Sequence, residues 1–173
     1  EIDRGIFISS LVLLFIGIIL SLTGTTEIKG FYSTYFIKRQ LIFVILAIIL
    51  IIFFSSQNSK FIRRISALSL IIILILMILI LIYGYEINGS KRWLYIFGFS
   101  IQPSEYLKPF FVVVSAWFLT QGLEGKTFSF RIVFFIFLLS FCLLILQPDF
   151  GMTVLFMTVF FTQLFVAGLS IIF

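Results

Sequence analysis

Residues 65–85 read ISALSLIIILILMILILIYGY, uncharged from end to end. A membrane-spanning helix needs about 20 mostly apolar residues, within a working range of about 17–25, and this stretch satisfies that length. Working outward from it, further uncharged stretches run at 5–26, 41–59, 109–123, 132–148 and 150–173. The whole chain agrees, for 62% of its 173 residues are hydrophobic and only 11% charged, where a soluble domain carries about 25% charged residues. The expected fold is an all-α polytopic membrane protein with about six transmembrane helices and a single membrane domain over 1–173. No soluble domain or low-complexity linker interrupts it.

Two of the runs are short as they stand. The fully apolar part of the second, 41–54, reaches a spanning length by extending back through 35–40, which carries Lys38 and Arg39 to the membrane edge. The fourth does so by starting at Pro103, which puts Glu105 and Lys108 inside its first two turns. The expected spans are then about 5–24, 35–54, 65–84, 103–122, 130–147 and 149–173. The first lacks the basic flank and small-residue cleavage site of a signal peptide. Glu1 in place of Met, and Phe173 inside an apolar run, read as cut ends.

Composition also excludes several chemistries. Cys142 is the sole cysteine and there is no histidine, so a disulfide framework, a Cys-based metal site and a histidine base are all absent. The net charge of +5 is scattered among loops, which suits anionic lipid or another anion and not nucleic acid.

Alternation of the spans places the loops 23–40 and 86–102 and the turn 147–150 on one side of the membrane. The first residues and the loops 55–64 and 122–131 fall on the other. Basic residues normally mark the cytoplasmic side. Here Arg4, Lys60, Arg63, Arg64, Lys126 and Arg131 on one side face Lys29, Lys38, Arg39, Lys91, Arg92 and Lys108 on the other, six against six. An excess of cations where topology does not call for them asks for a functional reason.

Three segments of the first-named side carry chemistry-bearing residues. Asn88-Gly89 is a turn signal, and Lys91, Arg92, Trp93 and Tyr95 combine cations with amphipathic aromatics, the composition of a segment at headgroup level. It serves as an interfacial anchor, or meets a lipid phosphate. Gln102-Pro103-Ser104-Glu105 opens the fourth helix, with proline suited to its first position and Glu105 to a capping box. Lys108, at membrane depth, opposes the helix dipole. Spaced i, i+3, it and Glu105 share a face and can neutralise each other. Ionisable groups inside a span are expensive and usually face a protein interior or a wet cavity. Gln147-Pro148-Asp149-Phe150-Gly151 repeats the pattern at the sixth helix, where Asp149 is suited to plain capping. Two helix N-termini and several cations at one membrane face make a place for an anion, and a phosphate-bearing lipid is the natural candidate.

The runs Asn88-Gly-Ser-Lys-Arg-Trp-Leu94, Ser100-Ile-Gln-Pro-Ser-Glu-Tyr-Leu-Lys-Pro109, Leu146-Gln-Pro-Asp-Phe-Gly151 and Leu164-Phe-Val-Ala-Gly168 resemble the SEDS family (shape, elongation, division and sporulation). Tyr35-Phe-Ile-Lys-Arg-Gln40 fits the same family. Order and approximate spacing match across nearly the whole chain, and the stretches at 36–40 and 100–105 look more like the division branch than the elongation branch. Met152, where the family often has a polar residue, and the loosely similar Ser21-Leu-Thr-Gly24 are the departures.

The resemblance implies a fold of roughly ten spans, each of about 20 residues, of which this chain holds the first six. It also implies a peptidoglycan glycosyltransferase of the bacterial cytoplasmic (inner) membrane, acting at the division septum. That enzyme polymerises lipid II at the outer face, alongside a class B penicillin-binding protein and other divisome membrane proteins. The family's catalytic aspartate falls beyond Phe173, so no catalytic base is expected in this chain and the chain alone is expected to be inactive.

In the implied reaction a sugar hydroxyl attacks an anomeric carbon and a pyrophosphate lipid leaves. A carboxylate serves as base, and cations or a divalent metal ion stabilise the leaving group. Arg39, Lys91, Arg92 and Lys108 are the expected cations for substrate binding. Glu105 and Asp149 orient them or hold a metal. A lipid II flippase and a non-catalytic subunit recruiting a penicillin-binding protein are the alternatives. Flipping needs access from both sides, and the opposite side shows no intramembrane charge or comparable motif in the sequence.

Overall fold

The computed structural model describes residues 4–25, 31–84, 91–96 and 99–168. The chain divides into two compact units, Glu1–Asn58 and Ser59–Phe173. The first contains α1 (Arg4–Thr25) and α2 (Phe31–Ser55), packed on each other. Their described faces expose Ile8, Leu13, Phe15, Ile42, Ile45 and Ile49, a surface suited to hydrocarbon and not to water.

The second unit contains α3 (Ser59–Tyr83), the short strands β1 (Leu94–Ile96) and β2 (Phe99–Ile101), α4 (Pro103–Leu123), α5 (Phe128–Leu146) and α6 (Phe150–Val166). Among the described residues, Ser59–Tyr83 and Phe128–Leu146 are each long and apolar enough to cross a membrane alone. Helix α4 packs against α3, α5 and α6. Their shared core is aromatic: Phe137 stacks on Phe160 at 4.1 Å between ring centres, and Phe111 meets Phe156 at 4.5 Å. Leu70, Leu74 and Met77 of α3 and Val133 and Leu144 of α5 close it. Lipid tails are as apolar as these side chains, so the fit of the rings, and not escape from water, holds the helices together. The α4–α5 corner is tight, and a Cβ at Gly122 would lie 2.6 Å from the Phe130 ring.

Three expectations are corrected. Helix α3 begins at Ser59, earlier than the expected span 65–84. Lys60, Arg63 and Arg64 therefore sit on its first two turns and not in a loop. The loop before α4 is a two-stranded antiparallel hairpin with Leu94 opposite Ile101 and Tyr95 opposite Ser100. The β-branched and aromatic residues on both sides of Gly98 explain it. Helix α6 ends at Val166 with Ala167 as its C-cap; Gly168 follows with φ 72°, the left-handed position glycine accepts without a Cβ penalty. Residues 169–173 of the expected sixth span, and the Asn88-Gly89 turn, lie outside the described residues.

Candidate functional site

The site is assembled by local signals. Proline at N1 starts α4 after Gln102, where its missing N–H costs nothing. Asp149 caps α6, accepting the Met152 amide on Oδ1 at 3.4 Å. The hairpin register, Leu94 against Ile101, returns the chain so that Arg92 lies beside the segment leading into α4. These pieces meet at one carboxylate. Gln102 Nε2 donates to Asp149 Oδ2 at 2.9 Å, Ser104 Oγ donates to the same oxygen at 3.5 Å, and Arg92 Nη1 lies 3.5 Å from Oδ1. The Asp149 side chain is 8% exposed and that of Arg92 30%. A carboxylate this buried is tolerated because charge and hydrogen bonds surround it.

Gln102 does not cap α4 with its side chain. Its amide is drawn across to Asp149 and to Ser104 Oγ, at 3.0 Å. The expected capping box is therefore not formed, and Glu105 is exposed on the first turn. The Glu105–Lys108 neutralisation that their spacing allows is also absent: among the described residues the ion pair is Arg92–Asp149. Lys108 points instead to α6, with Nζ 3.5 Å from Met152 Sδ. A thioether is a weak acceptor, so a half-buried ammonium about 7–8 Å into the helix has a poor partner for its charge.

The remaining candidates divide. Lys91 is half-buried next to Arg92, and Trp93 is half-buried beside it. Arg39 belongs to α2 of the first unit, where Lys38 is exposed; the Arg39 side chain and that of Tyr95 lie outside the described residues. The second unit thus brings Arg92 and Asp149 together and sets Lys108 against the residue whose amide Asp149 caps.

Two further polar contacts escaped the sequence reading. Gln147, 1% exposed, donates from Nε2 to the Met77 carbonyl at 3.2 Å and ties the α5–α6 turn to α3. Ser115 of α4 donates to Gln163 Oε1 at 2.8 Å, and Gln163 Nε2 donates to the Val112 carbonyl at 2.9 Å. The available signal was a polar side chain inside an apolar helix for Ser115 and Gln163, and one at the end of an apolar helix for Gln147.

The described residues do not assemble a divalent-metal site from Glu105 and Asp149. Both Asp149 oxygens receive protein donors, one of them a guanidinium, and no group of three or more His, Cys, Asp or Glu comes together among the described residues. What the cluster offers is a fixed cation, Arg92, and a second cation, Lys108, at the starts of two helices.

Comparison with known proteins places the chain in a family. The FTSW_RODA_SPOVE family, described as "Cell cycle protein", matches residues 4–173. Stage V sporulation protein E of Bacillus subtilis is 34% identical over 98% of this chain and 48% of its own length. A probable peptidoglycan glycosyltransferase FtsW of Caulobacter vibrioides is 29% identical over 79% of this chain and 35% of its own length. Among solved structures, the rod shape determining protein RodA of Thermus thermophilus aligns with a TM-score of 0.72 at 24% identity, over 93% of this chain and 54% of RodA. A chain of a peptidoglycan synthase complex aligns with the same TM-score and identity, over 94% and 48%. At that identity the structural likeness shows the fold, that of a polytopic membrane protein. The chain spans about half the length of these relatives, or less. Matched along almost its whole length, the chain belongs to the FtsW/RodA/SpoVE family of cell cycle proteins.

Proposed function

We propose that the intact protein is a peptidoglycan glycosyltransferase that polymerises lipid II for septal wall synthesis, and that this chain supplies the phosphate-holding side of its site. The observation that carries the reading is Lys108, an ammonium at membrane depth whose described partner is a thioether. An intramembrane cation facing protein and lacking a carboxylate is by default a group waiting for an anion. Family membership supports the activity, since relatives such as that of Caulobacter vibrioides carry the name probable peptidoglycan glycosyltransferase.

In this reading Arg92 and Lys108 meet the pyrophosphate of a lipid-linked sugar and stabilise the charge that develops as it leaves. Asp149 fixes the Arg92 guanidinium and caps α6, so the cation does not have to be ordered at the moment of reaction. Gln102 and Ser104 hold Asp149 in turn. Lys91 is a further substrate-facing cation, and Glu105, exposed on the first turn of α4, a further substrate-facing group. No residue of this chain is assigned the role of catalytic base. The protein works in the bacterial inner membrane at the septum, together with a class B penicillin-binding protein and other divisome membrane proteins.

The test is glycan polymerisation by the purified intact protein in vesicles containing fluorescent lipid II. Polymer formation supports the reading. Movement of lipid II between leaflets without polymer would replace it with a flippase.

A further inference from the structure

The end of the second unit away from Asp149 holds a separate basic pocket. It lies between the first turns of α3 and the later part of α4, has a volume of about 720 Å³, and is lined by Lys60, Arg63, Arg64, Leu68, Trp117 and Gln121. Trp117 is about 21 Å along α4 from Pro103 at 1.5 Å per residue, which separates this pocket from the Asp149 cluster by most of a membrane thickness. The Arg63 guanidinium lies over the Trp117 ring, 5.6 Å from its centre, and its Nε donates to the Ser59 carbonyl at 3.3 Å. No carboxylate lines the pocket, and none pairs with Lys60, Arg63 or Arg64 among the described residues.

Three cations in the first turns of a helix oppose its dipole, so they do not serve the helix. Topology alone asks for positive charge on the cytoplasmic side, but it asks for neither a cavity nor an ordered guanidinium. The pocket supplies both, together with a tryptophan of the kind that sits at headgroup level. Its apolar wall continues into the membrane-facing surface of α3, where Leu68, Ile71 and Ile72 are exposed.

We propose that this pocket binds the phosphate headgroup of an anionic phospholipid. Lys60, Arg63 and Arg64 meet the phosphate, the Gln121 amide and the Trp117 indole N–H are donors for its ester and glycerol oxygens, and the acyl chain lies along α3. A free phosphate shares the headgroup chemistry but has no use for the apolar wall. The proposal stands apart from the glycosyltransferase reading, since it involves none of the same residues.

The experiment reconstitutes the intact protein in vesicles of equal parts phosphatidylcholine and phosphatidylglycerol, extracts it in mild detergent, and measures retained lipid by native mass spectrometry. Phosphatidylglycerol is expected to be retained over phosphatidylcholine. Arg63→Gln, and independently Lys60→Gln at an exposed position, are each expected to weaken retention about fivefold, the worth of one cation near an anionic surface. Arg131→Gln, a cation of the same membrane side outside the pocket, is expected to leave it unchanged. Equal retention of the two lipids overturns the proposal, as does an equal loss in Arg131→Gln. Complete displacement by excess inorganic phosphate overturns it in favour of a simple anion site.

Discussion

Replacing Asp149 separates what its carboxylate does as a cap from what it does as a charge. Asp149→Ala removes the α6 N-cap, worth about 1 kcal/mol and up to about 2. It also takes the acceptor from Gln102 Nε2, 2.9 Å away, and from Arg92 Nη1, 3.5 Å away. Gln102 keeps Ser104 Oγ at 3.0 Å, and Arg92 is 30% exposed, so water meets part of both losses. Together they are expected to cost about 1 kcal/mol, for a total of about 2–3 kcal/mol. Asparagine caps helices as well as aspartate; with its oxygen kept on the Met152 amide, its NH2 takes the place of Oδ2, and the Gln102 amide turns over to accept from it. Asp149→Asn is therefore expected to cost about 1 kcal/mol, mainly through the lost attraction to Arg92. Unfolding of the intact protein in detergent, followed for both variants, measures the difference. Alanine and asparagine costing the same would refute the capping argument. Alanine within about 0.5 kcal/mol of the natural protein, the scale of an ordinary surface substitution, would refute the cluster as a structural unit.

Other contacts make independent predictions. Gln163→Leu leaves Ser115 Oγ with only the Phe111 and Val112 carbonyls of its own helix and is expected to destabilise the α4–α6 contact by about 0.6 kcal/mol, up to about 1.7. The double variant with Ser115→Ala should recover part of that in a thermodynamic cycle. Phe160→Ala empties the centre of the stacked rings, where Phe160 is fully buried. Because lipid replaces water outside, the cavity dominates the loss, expected at about 2 kcal/mol in the same unfolding assay.

Much of this was legible because it is local. Helix starts at Pro103 and Asp149 are written in proline chemistry and side-chain capping, and the apolar runs set the number of helices. What Gln102 and Gln147 do was not legible, since each spends its amide on a partner far along the chain, Asp149 and Met77. The i, i+3 spacing of Glu105 and Lys108 made a pair plausible, yet packing of α4 on α6 turned Lys108 to Met152. The basic pocket was hidden for a related reason. Lys60, Arg63 and Arg64 read as loop charges until the earlier start of α3 and the neighbouring Trp117 gave them a shared cavity.

The most direct measurement is lipid II polymerisation by the intact protein carrying Lys108→Ala, with its membrane level measured alongside. The account predicts that glycan synthesis is abolished while the protein accumulates normally, because Lys108 holds an anion and not the fold. Unchanged synthesis at a normal protein level would contradict it.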